Sequence, residues 1–479
     1  MTTSFEENLD ASPITRPMWL LWLLSAGLIA LDGFDFFVIG VALPFLKRDF
    51  GLDATAVGAV ATAAVAGSLI GSLTLGPITD RVGRRVMLIV DVAIFVVATA
   101  GTALAWNAAS LIAFRVLVGV GIGADYPISV SYITENVPAR FRGRMVIGAF
   151  TFQAVGALLG ALTGIVVIHL FQVIYPNSDQ MVIHYAWRWM LGVGVLLAIA
   201  VALVRLSFSL ESPRYFVSRG EYAEASEAAT QLLGTPITIT AELEPPPSTE
   251  QPTYGILFNA QYRRSTLLAS LPWFLQDIAT YGVGIFTPAI IAMLAFSQET
   301  DFVAREMGSA QGAAVVDLFL ILGFLCAIAL VERLGRIRLQ VIGFLGMATG
   351  LSILAASALL PSGSHGEIAL VITGFLVFNL MMNAGPNATT FLLSGEVFPT
   401  FIRATGAGFA AAFAKAGAVV GTFLLPILQT RWGIAPLLLG LALCCIVAAV
   451  ITVAFRIQTS GQSLEAVQHL AIESGVTAL

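Results

Sequence analysis

Apolar stretches of about 20 residues, each long enough to cross the hydrocarbon core of a bilayer, recur roughly twelve times between Trp19 and Phe455. Hydrophobic residues make up 57% of the 479 residues, and charged residues make up 11%. A water-soluble globule of this length could not enclose so much apolar surface, so we expect lipid to solvate it. The sequence therefore predicts an all-α membrane protein.

A polar stretch divides the predicted spans into two sets of six. We expect an N-terminal six-helix bundle over residues 1–210, a cytoplasmic linker with a short surface helix over residues 211–264, and a C-terminal six-helix bundle with a cytoplasmic tail over residues 265–479. The Pro-rich segment Glu244–Glu250 is unsuited to a packed core. Arginines concentrate in the loops on one side of the predicted spans, which makes that side, with both termini, cytoplasmic.

Two charged motifs recur at matching positions of the two halves. The first follows the second and eighth spans, as Asp80-Arg-Val-Gly-Arg84 and Glu332-Arg-Leu-Gly-Arg336. The second follows the fourth and tenth spans, with Glu, Pro and Arg at identical spacing in residues 135–142 and 396–403. Such an internal repeat predicts a pseudo-symmetric transporter whose two halves rock against each other.

The carboxylates and guanidinium groups of these motifs are placed to pair at the cytoplasmic helix ends. We expect them to form a latch that holds the halves together on the cytoplasmic side while the protein is open to the outside. The arginines could instead serve membrane topology alone. The predicted latch consists of Asp80, Arg81, Arg84, Glu135, Arg142, Glu332, Arg333, Arg336, Glu396 and Arg403.

Ionisable side chains at bilayer depth are costly unless they are paired, hydrated or neutralised, so each is a functional candidate. In the first half these residues are Asp32 and Asp35 of the first span, Asp91 of the third, and Arg115 and Asp125 of the fourth. A purely structural pair between Arg115 and Asp35 is an alternative, as is simple hydration of Asp91 near the membrane surface.

In the predicted seventh span, Thr266–Ile291, an indole N–H, a carboxylate and a phenol lie four residues apart on one helical stripe, at Trp273, Asp277 and Tyr281. Lys415 lies in the middle of the eleventh span, where a cation needs a fixed or visiting anion. Packing alone is the alternative for the aromatic residues.

Together with Tyr126 of the fourth span and Gln153, the counterpart of Lys415 in the first half, these residues predict a donor-rich site with one strong acceptor. A protonated phosphate fits such a site, because its O–H can donate to Asp277 while its other oxygens accept from Lys415. Sulfate lacks that proton and would be repelled by the carboxylate.

The loop motifs, with Glu211-Ser-Pro-Arg214, resemble those of the sugar-porter-like branch of the major facilitator superfamily. The sequences Gly121-Ile-Gly-Ala-Asp125-Tyr126-Pro127, Trp273-x-x-x-Asp277-x-x-x-Tyr281 and Gly385-Pro-Asn387 are similar to those of its phosphate:proton symporters. The resemblance implies the major facilitator fold, with twelve transmembrane helices in two pseudo-symmetric six-helix halves.

The resemblance also implies roles for individual residues. It implies a phosphate site formed by Tyr126, Gln153, Trp273, Asp277, Tyr281, Asn387 and Lys415. It implies a proton route through Asp32 or Asp35, with Asp91 and Asp125. We expect Arg115 to pair with this route, since protonation of its partner would weaken the ion pair.

We therefore expect a proton-coupled symporter that imports a small anion, inorganic phosphate, by alternating access. A symporter for an organic anion such as an aromatic acid, or for a sugar, is an alternative, because the Asp-Gly-Phe-Asp sequence at 32–35 and Arg115 also occur in those relatives. A non-transporting nutrient sensor on the same fold would be expected to carry a long soluble tail or loop, and neither is apparent.

No nucleophile–base pair, phosphate-binding loop or metal-ligand cluster is visible in the sequence, so we expect no enzyme activity, no cofactor and no metal site. The expected partners are the anion, protons and the lipid bilayer, without nucleic acid, and a monomer is expected to suffice. We expect a multi-pass integral protein of the plasma membrane, which in a bacterium is the inner membrane.

Overall fold

The computed structural model describes residues 4–207, 210–241, 253–284, 301–361, 364–464 and 466–467, and all regular structure within these ranges is helical. Eleven spans in these ranges are long and apolar enough to cross a membrane. A twelfth helix, α10 (Arg263–Gly284), is less apolar because it carries Gln276, Asp277 and Tyr281. The predicted all-α architecture is confirmed for the part of the chain that the structure describes.

Six long helices form the first half, each beginning within a few residues of the end of the one before. These are α2 (Arg16–Asp49), α3 (Ala54–Val82), α4 (Arg84–Ala103), α5 (Ala108–Asn136), α6 (Ala139–Ile174) and α7 (Asp179–Ser207). Polar side chains cap the beginnings of three of these helices: Thr15, Asp53 and Asn107 accept hydrogen bonds from backbone N–H groups of the first turns of α2, α3 and α5.

Three short helices lie outside these spans: α1 (Phe5–Ala11), α8 (Pro213–Arg219) and α9 (Tyr222–Leu233). Helix α9 matches the predicted surface helix of the linker. Its apolar residues, among them Ala225 and Leu232, are buried in one cluster with Met18 of α2. The Pro-rich segment Glu244–Glu250 and the tail from residue 468 lie outside the described residues, and the bundle limits at 210 and 265 stay predictions.

Within the described ranges, the second half contains α10 and six further helices. These are α11 (Phe302–Leu334), α12 (Arg336–Ser357), α13 (His365–Ala384), α14 (Pro386–Glu396), α15 (Arg403–Trp432) and α16 (Ile434–Ala454). Helix α10 is continuous through Pro272, and residues 285–291 of the predicted seventh span lie outside the described residues. Across the two halves, α6 packs along α11 and α3 packs along α15.

The apolar sequence pattern predicts a tenth span over Ile368–Leu393, and in the structure this span is broken into two helices. Helix α13 ends and α14 begins around Gly385, whose backbone has φ −123° and ψ −101°. Pro386 lacks an N–H group and disfavours helical geometry at the preceding residue. A Cβ atom on Gly385 would lie 2.5 Å from Gly343 Cα, so glycine also allows α12 to approach the break closely.

Candidate substrate and proton site

Lys415 of α15 lies buried between the halves and is held by two groups of α10. Its ammonium donates a hydrogen bond to Asp277 Oδ2 at 3.1 Å and another to Tyr281 OH at 2.9 Å. The same nitrogen lies 4.7 Å from the ring centroid of Tyr281 and 5.4 Å from that of Tyr126 on α5. The cation therefore has one fixed anion and aromatic faces on two sides.

Phe391 of α14 joins the aromatic side chains of the two halves beside this pair. Its ring stacks on Phe150 of α6 with centroids 3.8 Å apart, and lies 5.4 Å from the ring of Tyr126. Trp273 of α10 meets the same ring edge-on at 4.6 Å. Aromatic rings from both halves thus enclose one side of the charged pair.

Amide side chains surround the aromatic cluster. Gln153 Nε2 donates to Tyr126 OH at 3.3 Å. Asn387 accepts from Gln276 Nε2 at 3.1 Å and donates to Asn383 Oδ1 at 2.8 Å. The sequence analysis did not single out Gln276 or Asn383. Gln276 directly precedes Asp277, and Asn383 lies one helical turn before Asn387, so both could have been found from their positions.

The structure brings six of the seven predicted substrate residues into one connected group around Lys415. Asn387, the seventh, belongs to the neighbouring amide chain, which reaches α10 through Gln276. These placements bring the predicted substrate residues together where the two halves meet, and the substrate roles themselves stay predictions.

Four carboxylates of the first half lie within helices that are long and apolar enough to cross a membrane. Asp35 Oδ2 accepts a hydrogen bond from Arg115 Nη1. Asp32, Asp91 and Asp125 are each at most 1% exposed, and each has one carboxylate oxygen without a hydrogen-bond partner in the described ranges. An unpaired carboxylate is costly in such a place unless it carries a proton.

Arg205 of α7 is a charged residue that sequence analysis did not single out. It is 1% exposed, donates to the backbone oxygens of Leu88 and Leu24, and lies within electrostatic range of Asp91 and Asp125. In the sequence it sits near the cytoplasmic end of a span, where arginine is ordinary. Only helix packing turns it towards the carboxylates.

Glu135 is the centre of the predicted latch. Its Oε1 accepts hydrogen bonds from Arg84 Nη2 and from Arg403 Nη1, both at 2.8 Å, and Arg84 also donates to Asp80 at 3.0 Å. All four side chains are buried. Because Arg403 belongs to the second half, its bond to Glu135 joins the two halves at these helix ends.

Asp80 adds a second bridge between the halves. Its carboxylate accepts from the backbone N–H groups of Ala404 at 3.2 Å and Thr405 at 2.7 Å, and from the Thr405 hydroxyl at 2.8 Å. These N–H groups lie in the first turn of α15, where the helix dipole favours an anion. The N-terminus of α15 is therefore anchored to the first half.

The second-half motif forms a similar but separate cluster. Arg336 donates to Glu332 at 2.7 Å and to Glu396 at 2.9 Å. Arg142 donates to the backbone oxygen of Gln462 at 3.2 Å. Two predicted latch residues, Arg81 and Arg333, are not brought into these clusters, because their side chains point to the exposed surface.

Glu211, between α7 and α8, lies beside the first cluster. It accepts hydrogen bonds from the backbone N–H groups of Arg85 and Ser212, each at 2.9 Å. Burial raises the pKa of this carboxyl, and the positive charge of Arg84 opposes the increase.

Within the described residues, the long helices form two halves with charged side chains buried between them, which is the major facilitator fold. The proton:xylose symporter XylE, bound to 6-bromo-6-deoxy-D-glucose, has the same fold, with a TM-score of 0.75 and 19% identity over 96% of this chain and 100% of that chain. Residues 22–471 match the family of sugar (and other) transporters, and the chain belongs to that family. It is a transporter and not an enzyme.

Curated relatives carry names with different substrates. The chain is 29% identical to the inner membrane metabolite transport protein YgcS of Escherichia coli, over 93% of this chain and 92% of the relative. It is 27% identical to the niacin transporter NiaP of Acinetobacter baylyi, over 94% of this chain and 95% of that one. It is 28% identical to the repressible high-affinity phosphate permease of Neurospora crassa, over 84% of this chain and 76% of the permease.

Proposed function

We propose that the chain is a proton-coupled symporter that imports a small anion, inorganic phosphate, by alternating access. The observation that carries this proposal is the buried Lys415, held 3.1 Å from Asp277 and 2.9 Å from Tyr281. A monoprotonated phosphate would accept from the ammonium and the phenol and would donate its O–H to the carboxylate. Sulfate would bring no donor for Asp277.

Proton coupling is assigned to the carboxylates of the first half. A proton from the outside would neutralise Asp35 or Asp32 and weaken the ion pair with Arg115, while Asp91 and Asp125 extend the route towards Arg205. Once neutral, the carboxyl group attracts Arg115 less strongly, and this changes the relative stability of the two conformations. The proton and the anion would then leave together on the cytoplasmic side.

The predicted latch would control the change between the two conformations. The bonds from Arg403 and the start of α15 to Glu135 and Asp80 join the halves at their cytoplasmic ends. Occupation of the central site would favour a conformation in which these bonds are broken and water reaches the site from the cytoplasm. Rocking of the two halves then completes one cycle.

An aromatic acid is a second candidate substrate. The rings of Phe391, Phe150, Tyr126 and Trp273 lie beside Lys415 and could hold an aromatic ring while the ammonium binds its carboxylate. The name of the niacin-transporting relative agrees with this alternative.

Substrate competition in proteoliposomes separates the two. Uptake of radiolabelled phosphate is measured against an excess of phosphate, arsenate, sulfate, nicotinate, benzoate or a hexose. Inhibition by arsenate but not by sulfate or nicotinate is expected for the phosphate site. Absence of phosphate uptake, together with uptake of labelled nicotinate or benzoate, would overturn the phosphate proposal and support the aromatic acid.

We also propose that the chain resides in the plasma membrane, the inner membrane of a bacterium, and functions as a monomer. Both termini and the linker, residues 211–264, would face the cytoplasm between bundles 1–210 and 265–479. Reporter fusions at the two termini and in the linker test the topology: a fluorescent protein should be active at all three positions, and an exported phosphatase at none.

A further inference from the structure

A lone carboxylate, Asp317, lies in the middle of α11. It is 15 residues from Phe302 and 17 from Leu334, the ends of the helix, which places it on the order of 22–26 Å from either end at 1.5 Å per residue. Asp317 is 1% exposed, whereas its neighbours Val315 and Leu318 are 56% and 50% exposed. Its side chain is therefore turned away from the lipid-facing stripe of the helix.

The described residues offer Asp317 no partner. Its Oδ2 atom is buried without a hydrogen bond, and no ion pair involves it within the described ranges. Burial without an opposing charge is costly for a carboxylate at this depth. This distinguishes it from Asp277, which Lys415 neutralises at 3.1 Å.

Charged groups on the helices packed against α11 lie away from its middle. At one end, Arg48 of α2 stands 3.5 Å from the ring centroid of Phe302. At the other end, Arg336 of α12 is bound to Glu332. Most of the remaining titratable groups on the packed faces are near helix ends or paired elsewhere: Arg140, Arg142, Arg144 and His169 on α6, His365 and Glu367 on α13, and Asp35 on α2. Asp32, in the middle of α2, lies within electrostatic range of Asp125 and Asp91 of the first half.

The side of α11 that carries Asp317 faces the seam between the halves. Phe324 and Val331, seven and fourteen residues further on, share this side of the helix and are buried in one apolar cluster with Met145 and Phe150 of α6. Helices α6 and α11 belong to different halves, so rocking changes their contact. The environment of Asp317 is thus linked to the conformational change.

We propose that Asp317 is a proton-binding site of the second half, which takes up a proton from the outside and releases it to the cytoplasm in each cycle. The inference rests on the proposed proton-coupled transport. A hydronium ion transfers its proton to Oδ2, an O–H bond forms and a water molecule remains; the reverse transfer to water occurs when the cytoplasmic side opens. In the closed seam the neutral carboxylic acid needs no cation, which agrees with the absence of one in the described residues.

The first test needs no substrate. Infrared difference spectra of purified protein, recorded across a pH titration, report the carbonyl stretch of a protonated carboxylic acid. Asp317→Asn should remove one such band, and Glu306→Gln, which removes a carboxylate near the outer end of the same helix, should leave it. A spectrum unchanged by Asp317→Asn overturns the proposal even if phosphate is not the substrate.

The second test measures coupling in proteoliposomes. Loss of one transported proton should lower the maximum accumulation of phosphate about tenfold at a pH difference of about one unit, while phosphate exchange without a pH gradient continues. Accumulation equal to that of the wild type would show that Asp317 carries no transported proton. Loss of exchange itself would show that Asp317 serves substrate binding instead.

A folding defect of the Asn variant would not end the test. Asp317→Glu keeps an ionisable carboxyl group and should shift the carbonyl band while it preserves coupled accumulation. A band that stays at the wild-type frequency in this variant overturns the assignment.

Discussion

Glu135 of α5 and Arg403 at the start of α15 are joined by a hydrogen bond of 2.8 Å that crosses from one half of the protein to the other. The same carboxylate oxygen accepts from Arg84, so one buried anion holds two guanidinium groups. Removal of one member of such a buried charge cluster strongly destabilises the structure, because the remaining charges are left buried without an opposing charge. The contact between the two halves around Glu135, Arg84 and Arg403, called here the cytoplasmic seam, should therefore weaken when one of its residues is replaced.

Asp80→Asn is expected to open the cytoplasmic seam. The substitution weakens the bonds to Ala404, Thr405 and Arg84 at a cost of about 3 kcal/mol, a shift on the order of a hundredfold between conformations. Ala404→Cys, placed at a fully buried position in a background without native cysteines, is the reporter. Its labelling by a membrane-impermeant maleimide from the cytoplasmic side should increase severalfold.

The exposed Arg333→Gln is the matched control for the latch, because Arg333 belongs to the same sequence motif but lies at the surface. It should leave the labelling of the reporter unchanged. Equal labelling in the Asp80→Asn variant and in the parent would show that these bonds do not keep the seam closed.

Lys415→Met is expected to destabilise the protein and abolish transport. It leaves Asp277 buried without its hydrogen-bond donor, at a cost of about 3–5 kcal/mol. The double variant Lys415→Met with Asp277→Asn removes both charges and should recover most of the melting temperature without recovering transport. Thermal unfolding in detergent and phosphate exchange measure the two effects separately; exchange by the double variant at the wild-type rate would remove the pair from the substrate site.

Asp32→Asn is expected to uncouple uptake from the proton gradient. Wild-type uptake should increase as the external pH falls, because the proton-accepting carboxylates must be occupied before closure. In the variant, the pH profile of net uptake should flatten, and exchange of labelled for unlabelled substrate should continue. Asp179→Asn changes an exposed carboxylate outside the predicted route and should keep the wild-type profile. A wild-type profile for Asp32→Asn would contradict the role of this residue.

Gly385→Ala is expected to destabilise the broken span by about 1–3 kcal/mol, since the added methyl group would overlap Gly343. Gly440→Ala, in α16, meets no atom within 4 Å and should be neutral or slightly stabilising. Melting temperatures of the two variants provide the comparison. Similar stability of both would contradict the close approach of α12 to the break.

Sequence periodicity and composition were sufficient for the coarse architecture. Long apolar runs need lipid or a protein core around them, so the number of spans and the two-half division follow from local sequence alone. The paired motifs also located residues that the structure brings together, because Glu135, Asp80 and Arg403 recur with fixed spacing at helix ends, and their role as a latch stays a prediction. Arg81 and Arg333 belong to the same motifs but are exposed, because neighbouring residues of one motif point in different directions from the helix.

The tertiary structure decided which charges face one another. Arg205 and Asp317 lie in apolar helices, and the sequence gives no information about which neighbouring helix each of them faces. Only the packing of the helices determines their surroundings. The close approach of α12 to the break at Gly385 involves Gly343, more than forty positions earlier in the chain. Local sequence determines that a segment is helical and apolar, but the direction in which each face points is set by contacts between helices far apart in sequence, and those contacts determine whether a buried charge is paired with another group or left to bind a proton.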